Sequence, residues 1–574
     1  MCVIVQVFFE GDFYMIGKRI RHLSRYRVVA SVMARHGLGF LVEEIGLLHM
    51  LSLPRRLFTK ADSEAIDRKP IGQRMREVCE ELGPTFVKIG QLASTRTDLI
   101  PEGIVLELAK LQDQVPAFSI SEVYKILEEE LGVKPGEVFT VFDEMPLAAA
   151  SIGQVHHALL LSGEEVAVKV QRPQIIPVIE TDLEILMDLA ILAEHRLDWA
   201  ACYKLTEIIE EFSRSLLAEL DYTIEGRNGE RIAKQFLKDL DIHVPKVFWD
   251  YTTRKVLTME YMKGIKLNDF PRLTELGYNR KTIAEKIVKA VFHQILIEGF
   301  FHGDPHPGNI FVLDGEVISL IDFGMVGRLS PDMKYQFVSI VIAMMRQNTD
   351  GILRAVLRMG LVPDDVNMPR LRREVEELRD KYVDVPLSKI SLGEAVNELF
   401  KLAFRHRIRI PADFTLLGKS LLTLEGLVEE LDPELSIMDI AQPFGRKLLK
   451  ERLRPSNLAE KVWQNLQEYG DLLVDLPKQV KGLMTNVQRG QLNLQVRLPE
   501  VDIFLRKLDR MSNQITLSLV LLSFSIVMMG LIIASSLAKQ PIMLWHFPAV
   551  EVGFAITAMM FVWLIVAIIR SGRF

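Results

Sequence analysis

The residues best suited to chemistry lie in two short segments near the middle of the chain. Residues 302–309 read HGDPHPGN, and residues 321–324 read IDFG. Phosphoryl transfer requires magnesium bridging the nucleotide phosphates, oxygen ligands that hold this metal, and a carboxylate beside the attacking oxygen. Asp304 and Asn309 have the D-x-x-x-x-N spacing of a kinase catalytic loop, so Asp304 would orient or deprotonate the nucleophile and Asn309 would bind metal. Asp322 would be the second and principal metal ligand.

The stretch that joins the two segments, NIFVLDGEVISLIDFG, has the pattern of a β-hairpin. Such a hairpin would bring Asn309 and Asp322 to one face. Either motif alone occurs often by chance, but both in this order with a strand pair between them are specific. His302 and His306 could be read as a metal pair. Because magnesium prefers oxygen ligands, we expect both histidines to be structural members of the loop.

A lysine on a predicted strand lies upstream of these motifs. Val166–Lys169 reads VAVK, which matches the strand lysine that pairs with the α- and β-phosphates of a nucleotide. Such a lysine needs a carboxylate partner on a helix, and the candidates are Glu219, Asp221 and Glu225. Asp221 and Glu225 are four residues apart and share a helix face. An ordinary solvated acidic face is the alternative for this segment.

An alanine-rich segment stands where a protein kinase has its glycine-rich loop. Alanine reaches positive φ less readily than glycine, so we expect a stiffer loop with altered nucleotide preference or slowed transfer. The predicted nucleotide-binding residues of this loop are Leu147, Ala148, Ala149, Ala150, Ser151, Ile152, Gly153, Gln154 and Val155.

The elements that must position these residues form a small sheet-rich lobe followed by a larger helical lobe. Helical patterns fill residues 60–130, where Gly83-Pro84 ends one helix and begins the next. Strand-like runs follow, and Ser162-Gly163 between two of them predicts a hairpin. The predicted fold class is α+β.

Composition bounds the function. Of 574 residues, 25% are charged and 49% are hydrophobic, which excludes a disordered chain. The formal net charge of −6 argues against a nucleic-acid partner. The three cysteines (Cys2, Cys79 and Cys202) are far apart, which argues against a disulfide framework or a structural zinc site. Mean hydropathy is +0.17, high for so charged a chain, so the apolar residues are expected to sit in one block.

That block is formed by residues 511–538 and 552–569, two runs without a charged side chain. Each is long enough to cross a bilayer as a helix, with buried core helices as the alternative. Cations flank the outer ends of the pair, so the positive-inside rule predicts a multi-pass protein of the cell inner (cytoplasmic) membrane with both termini on the cytoplasmic side. The basic segment 13–42 predicts contact with anionic lipid; a helix packed on the body and a transit peptide are the alternatives.

Several motifs together carry a family resemblance. They are Lys88-Ile-Gly-Gln91 (KxGQ), the alanine-rich loop AAASIGQVH, VAVK, the ELD of Glu219–Asp221, HGDPHPGN and IDFG. On these residues the chain resembles the UbiB/AarF family of atypical kinases, also called the ADCK or ABC-one-like family, over roughly residues 15–450. The C-terminal runs look like the transmembrane hairpin of bacterial members. KxGQ combined with the alanine-rich loop is specific to this family.

The resemblance implies a two-lobed protein-kinase-like fold with a helical N-terminal extension and two C-terminal transmembrane helices. The implied segments are 1–14 as an upstream start extension, 15–137 as the extension with KxGQ, 138–262 as the N-lobe, 263–450 as the helical C-lobe, 451–510 as a helical linker and 511–574 as the transmembrane hairpin.

The resemblance also implies roles for the KxGQ and ELD residues. Lys88 and Gln91 would reach over the nucleotide cleft, where Lys88, also a catalytic candidate, would meet Glu219 or Asp221. The regulatory set is therefore Lys88, Gln91, Glu219 and Asp221.

Two further nucleotide contacts follow from the resemblance. Glu225 would be the partner of Lys169. The backbone near Glu260 and Met262, at a hinge after a strand, would hold adenine.

The implied function is a membrane-anchored atypical kinase or ATPase that binds ATP (or ADP) and Mg²⁺. It would support isoprenoid quinone biosynthesis, with ubiquinone as the expected quinone, as an accessory or regulatory protein. Expected partners are membrane lipid, quinone precursors and quinone-biosynthesis proteins, without nucleic acid. The oligomeric state, the phosphate acceptor and the identity of the quinone (ubiquinone, menaquinone or another) stay open. The alternatives are a small-molecule or lipid phosphotransferase of the aminoglycoside-kinase type and a nucleotide-gated, non-catalytic lipid scaffold.

Overall fold

The computed structural model describes residues 23–452 and scattered positions between 519 and 559. Within the first range the gaps are 46–68, 97–98, 112–115, 198–199, 202–203, 347, 361, 363–365 and 382–390. The chain divides into two compact units, Met1–Ala459 and Glu460–Phe574. The predictions for residues 1–14 and for the linker from 453 to 510 lie outside the described residues.

The first unit contains helices and two groups of short strands. Its helices are α1 (Leu23–Arg35), α2 (Gly39–Glu44), α3 (Ile71–Leu82), α4 (Pro84–Ser94), α5 (Glu102–Leu108), α6 (Ile120–Leu131), α7 (Ile175–Arg196), α8 (Leu205–Glu219), α9 (Tyr222–Gln235), α10 (Phe270–Glu275), α11 (Arg280–Phe292), α12 (Pro331–Met345), α13 (Thr349–Met359), α14 (Met368–Lys381), α15 (Leu392–Arg405), α16 (Ala412–Leu431) and α17 (Ile437–Arg452). Its strands are β1 (Phe139–Phe142), β2 (Ala148–Ala149), β3 (Gly153–Leu160), β4 (Glu165–Gln171), β5 (Ile242–His243), β6 (Val256–Glu260), β7 (Ile265–Lys266), β8 (Phe300–His302), β9 (Ile310–Leu313), β10 (Val317–Leu320) and β11 (Val326–Arg328).

The helices before the first sheet form the N-terminal extension. The predicted junction between α3 and α4 is confirmed: Gly83 has φ +99°, and Pro84 is the first residue of α4. Glycine accepts this φ without strain, and the fixed φ of proline suits the first helical position. The described part of the basic segment, α1, packs on α7, since Arg25 Nε lies 2.7 Å from Asp182 Oδ1 and Tyr26 is buried. Within residues 23–35 the packed-helix alternative therefore fits.

The first sheet has the order β1–β3–β4–β6, with β2 on the edge of β3. The predicted hairpin at Ser162-Gly163 is confirmed, because β3 and β4 pair antiparallel around this turn. In β4, Val166, Val168 and Val170 are fully buried and share a core with α6. Since side chains alternate across a strand, Lys169 faces away from this core.

The second group of strands carries the catalytic-loop motifs. Its sheet has the order β5–β10–β9–β7, and β8 pairs with β11. The predicted strand pair is confirmed as the antiparallel β9–β10 hairpin, whose turn contains Gly315 at φ +77° and Glu316 at φ +59°. The Ile321 N–H donates to the Asn309 carbonyl at 3.0 Å, so the two metal-binding candidates flank the open end of this hairpin.

Helices α11 to α17 and the second group of strands contribute to one large hydrophobic core. Helix α16 lies at its centre, with Phe414, Leu417, Leu421 and Leu424 almost fully buried. The opposite side of the same helix approaches the catalytic loop. The fold thus places a rigid helix directly behind the segment predicted to do chemistry.

The predicted membrane topology requires correction. Among the described residues, no helix combines enough length with a sufficiently apolar sequence to span a bilayer. The longest helices described there, α7 with 22 residues and α16 with 20, carry charged side chains along their length, which makes burial in hydrocarbon costly. This finding overturns the prediction of a multi-pass inner-membrane protein with two transmembrane helices. Most of the runs 511–538 and 552–569 lies outside the described residues. Between the two runs, the strands β12 (Met543–Leu544) and β13 (Phe547–Pro548) form an antiparallel pair.

Candidate active site

A buried ion pair lies in the cleft between the first sheet and the catalytic loop. Lys169 Nζ lies 3.0 Å from Glu225 Oε1 and 2.8 Å from Glu225 Oε2, and Glu225 is 6% exposed. The ammonium also lies 5.1 Å from the centre of the Tyr222 ring, a cation–π contact. Burial alone would lower the pKa of Lys169, but Glu225 and Asp322 raise it well above its usual value. Lys169 is therefore a fixed cation, suited to nucleotide phosphates.

Asp322 keeps its negative charge in the same cleft. Burial would raise its pKa, but Lys169, the N–H of Gly324 and Lys88 lower it to about 2. Asp322 Oδ1 accepts a hydrogen bond from that N–H at 3.2 Å, and Asp322 itself has φ +60°. In contrast, burial raises the pKa of Glu225. Asp322 is therefore the strongly acidic carboxylate of the cleft, and it stays deprotonated, which is the form in which a carboxylate binds a metal.

The KxGQ lysine reaches the ELD motif. Lys88 Nζ lies 2.6 Å from Glu219 Oε1. Asp221, the other predicted partner, instead caps α9 by accepting from the Thr223 N–H at 3.0 Å, and it pairs with Arg254 at 3.2 Å. The structure therefore selects Glu219 and places Lys88 near enough to Asp322 to influence its pKa.

Gln91 differs from its expected position. Its side-chain Nε2 donates to the Leu111 carbonyl at 3.1 Å, which holds α4 against the segment after α5. The expectation that Gln91 reaches over the cleft is corrected by this contact, which arises because α4 packs along α5.

The two histidines of the catalytic loop organise its backbone. His302 is 2% exposed; its Nε2 donates to the Ile321 carbonyl at 3.1 Å, and its Nδ1 accepts from the Asp304 N–H at 3.1 Å. Burial lowers the pKa of His302, which fits this neutral tautomer. His306 Nδ1 accepts from the Gly308 N–H at 3.0 Å. These contacts match the expected structural role of both residues.

Asp304, the predicted base, lies beside Asn309, one of the two predicted metal ligands. Asn309 Nδ2 donates to the Asp304 carbonyl at 3.3 Å, which leaves Asn309 Oδ1 available for a metal. The Asp304 carboxylate contacts Lys419 Nζ of α16 at 3.2 Å. Nothing in the sequence indicated Lys419, since a single lysine on a helix far along the chain carries no motif.

The alanine-rich loop is a tight hairpin. Ala148 pairs with Val155 and Ala149 with Gln154, and the Ala150 N–H donates to the Gly153 carbonyl at 2.8 Å. These pairings place the alanine-rich segment in the first sheet beside β3; the stiffness expected of its alanines stays a prediction.

Two polar side chains of this loop behave differently. Gln154 is 1% exposed, and its amide bonds to the N–H and carbonyl of Phe118 at 3.0 and 3.3 Å, so only its backbone remains for a nucleotide. Ser151 is fully buried, and its hydroxyl has no hydrogen-bond partner within the described residues. Leu147, which precedes β2, is exposed, and Ile152, in the turn between β2 and β3, is buried.

The hinge offers one free backbone donor. The N–H groups of Glu260 and Tyr261 bond to the carbonyls of Lys246 and Glu165 at 2.9 and 3.1 Å. In the part of the chain described, the N–H of Met262 is used by no backbone hydrogen bond. The Glu260 carboxylate accepts a hydrogen bond from His243 Nε2 at 3.0 Å, so the Glu260 side chain is engaged in a structural contact.

Helix α9 also fixes the DFG segment, which the sequence interpretation missed. Asn228 Nδ2 donates to the Phe323 carbonyl at 3.1 Å, and a Cβ on Gly229 would lie 2.9 Å from the Phe323 ring. The helix that carries Glu225 is thus in close contact with the residue after Asp322. A glycine inside a helix was the available signal, because it often marks a close approach.

Family comparison agrees with this geometry. Residues 110–356 match the ABC1 atypical kinase-like domain, residues 375–436 the UbiB helical domain, and residues 499–570 the ABC1/UbiB kinase-like C-terminal domain. A probable protein kinase UbiB of Cellvibrio japonicus is 35% identical over 85% of this chain and 86% of its own length. The chain belongs to the UbiB family of atypical kinases. The predicted family is confirmed, and with it the kinase-like fold.

The chain is also similar to proteins of Synechocystis and Arabidopsis thaliana. An uncharacterized Synechocystis protein is 37% identical over 76% of this chain and 75% of its own. The chloroplastic protein ACTIVITY OF BC1 COMPLEX KINASE 7 of Arabidopsis thaliana is 34% identical over 77% of this chain and 64% of its own. In this UbiB-family chain, Lys419 falls inside the segment that matches the helical domain.

The donor set fits magnesium held together with a nucleotide. Asn309 and Asp322 supply oxygen atoms, the ligands that Mg²⁺ prefers, and phosphates would supply others. Within the described ranges, no group of three or more His, Cys, Asp or Glu residues is arranged to hold a metal by itself.

Proposed function

We propose that this chain binds ATP with Mg²⁺ and transfers the γ-phosphoryl group to water. The carrying observation is the arrangement of Lys169 between Glu225 at 2.8 Å and the strongly acidic Asp322. When bound, Mg²⁺ would supply charge neutralisation at the β- and γ-phosphates, held by Asp322 and Asn309. Lys169 would orient the phosphates, and Asp304 would orient the attacking oxygen and accept its proton.

The adenine and the sugar-phosphate chain would extend from the hinge to the alanine-rich loop. The free N–H of Met262 supports an adenine contact, and the buried Ser151 hydroxyl supports a polar contact beneath the phosphates. Lys88, bound to Glu219, would close the cleft from the side of α4 and regulate access to it.

Hydrolysis of ATP by the purified full-length chain tests this proposal. We expect Mg²⁺-dependent release of phosphate from the wild type and its loss in Asp322→Asn and Asp304→Asn, by at least about 100-fold. Lys263→Met is a matched control, because the side chain of this lysine is 69% exposed and pairs with Glu165 rather than with a residue of the catalytic loop. Equal rates in wild type and Asp322→Asn would reject the assignment.

The cellular role we propose is support of isoprenoid quinone biosynthesis as an accessory or regulatory protein, with ubiquinone as the expected product and quinone precursors and quinone-biosynthesis proteins as partners. The relatives named as UbiB kinases support this proposal. Quinones and their precursors should be profiled in a deletion strain complemented with wild type, Asp304→Asn or Lys263→Met. We expect accumulation of a precursor with Asp304→Asn alone; normal quinone levels with that variant would favour a non-catalytic role.

A further inference from the structure

The helical domain contributes a cation to the catalytic loop. Lys419 Nζ lies 3.2 Å from Asp304 Oδ2, and both side chains are partly accessible, at 29% and 27%. Among the described residues this is the ion pair made by the predicted base. One carboxylate oxygen of Asp304 is thereby engaged, which leaves the other to meet an attacking oxygen.

Further contacts hold the lysine and the loop in register. Ser420 Oγ donates to the His302 carbonyl at 3.1 Å. A Cβ on Gly303 would lie 2.8 Å from Leu416 Cδ2, so the loop backbone rests directly on α16. Three successive loop residues are thus supported by one helix, and Lys419 projects from the same surface.

The ion pair between Lys419 and Asp304 is not needed to explain the stability of the fold. Partly exposed ion pairs contribute little to folding. Lys419 also lines a cavity of about 690 Å³ shared with Ser94 and Thr95, at the end of α4, and with Lys401 of α15. The ammonium therefore stands beside the catalytic loop at the wall of an open space.

We propose that Lys419 is a positioning residue for phosphoryl transfer, which orients the carboxylate of Asp304 towards the attacking oxygen. In hydrolysis, that oxygen forms a bond to the γ-phosphorus while the bond to the bridging oxygen breaks. ADP leaves with the electron pair, and a proton of the attacking water passes to Asp304. This inference rests on the proposed ATP-hydrolysing function and assigns part of that site to the helical domain.

The test compares full-length Lys419→Met, Lys419→Arg and Lys401→Met. Lys401 lines the same cavity but pairs with Glu102 at 2.7 Å, so Lys401→Met removes a charge from the cavity without touching Asp304. We expect Lys419→Met to lower kcat roughly 10- to 100-fold with KM for ATP and ADP affinity unchanged. Lys419→Arg should restore most of the rate, and Lys401→Met should stay within about twofold of wild type.

A double-variant cycle separates positioning from a structural role. Lys419→Met should lower the rate no further in the Asp304→Asn background, and the unfolding midpoint of Lys419→Met should lie within about 1 °C of the wild-type value. An active wild type with an unchanged Lys419→Met rate, or equal losses in both backgrounds, overturns this inference alone. A wild type that hydrolyses no ATP overturns the proposed function and this inference together.

Discussion

Replacing Lys169 by methionine should destabilise the fold as well as abolish phosphate binding. The variant leaves Glu225, 6% exposed, without its cation at 2.8 Å and beside the charged Asp322. At an effective dielectric constant of about 20, the lost attraction is about 6 kcal/mol. Removing one partner of a buried pair costs about 3–5 kcal/mol in practice. Because Lys169 is 21% exposed, we expect the lower end, about 3 kcal/mol.

Thermal unfolding measures this loss. About 3 kcal/mol corresponds to a fall of roughly 3 °C in the unfolding midpoint of a unit as long as Met1–Ala459, because the entropy of unfolding grows with chain length. The double variant Lys169→Met/Glu225→Met should recover most of it, since replacing a buried pair by apolar groups is often neutral. Lys263→Met breaks an exposed pair with Glu165 and should leave the midpoint nearly unchanged.

The pH dependence gives a second readout. Burial raises the pKa of Glu225, so the folded state holds this proton more tightly than the unfolded state. A group with a raised pKa stabilises the folded state most at pH values below its pKa in the unfolded chain. This stabilisation is lost as the pH rises through the higher pKa of the folded state. Lys169→Met should therefore approach the double variant in stability as pH falls from 8 towards 5. A Lys169→Met midpoint equal to that of wild type, with no gain in the double variant, would refute the buried-pair reasoning.

Further substitutions test other contacts of the cleft. Gly229→Ala should push the Phe323 ring and lower ATP hydrolysis, whereas Gly426→Ala, in open space on α16, should leave the rate unchanged; equal rates for both would contradict the packing argument. Ala149→Gly or Ala150→Gly should loosen the hairpin and change nucleotide affinity in calorimetric titration, and unchanged binding of both ATP and ADP would count against a role for loop stiffness. Lys88→Met removes a cation that acts on Asp322, so Mn²⁺ binding with ADP, followed by electron paramagnetic resonance, should become tighter; weaker binding would mean that Lys88 supports the metal site.

Short-range patterns predicted much of this site. The Gly83-Pro84 junction, the alternation around Lys169 and the hairpin between Asn309 and Asp322 each depend on a few neighbouring residues. Their local geometry is set by backbone preferences and by burial of one strand face. Such features can therefore be recognised without knowing the tertiary fold.

Contacts between distant segments were not predictable in this way. Gln91 was expected to reach over the cleft and Gln154 to bind the nucleotide, but each amide bonds to a backbone group brought close by helix or sheet packing. Lys419 reaches Asp304 only because α16 crosses behind the catalytic loop. The N-cap role of Asp221, in contrast, was open to recognition, since Asp before a helix is a common cap.

Hydropathy was the least secure guide. Charge-free runs at 511–538 and 552–569 predicted spanning helices, but the described residues contain no helix that could cross a membrane. The two runs identify where the apolar residues lie in the sequence, but the membrane topology predicted from them was wrong.

Calorimetric titration of ATP into the full-length chain, with Mg²⁺ and with chelator, tests the central claim most directly. The account predicts one site whose affinity depends on Mg²⁺ in the wild type, with that dependence lost in Asp322→Asn while the unfolding midpoint is retained. Mg²⁺-dependent binding of equal strength in Asp322→Asn would contradict it.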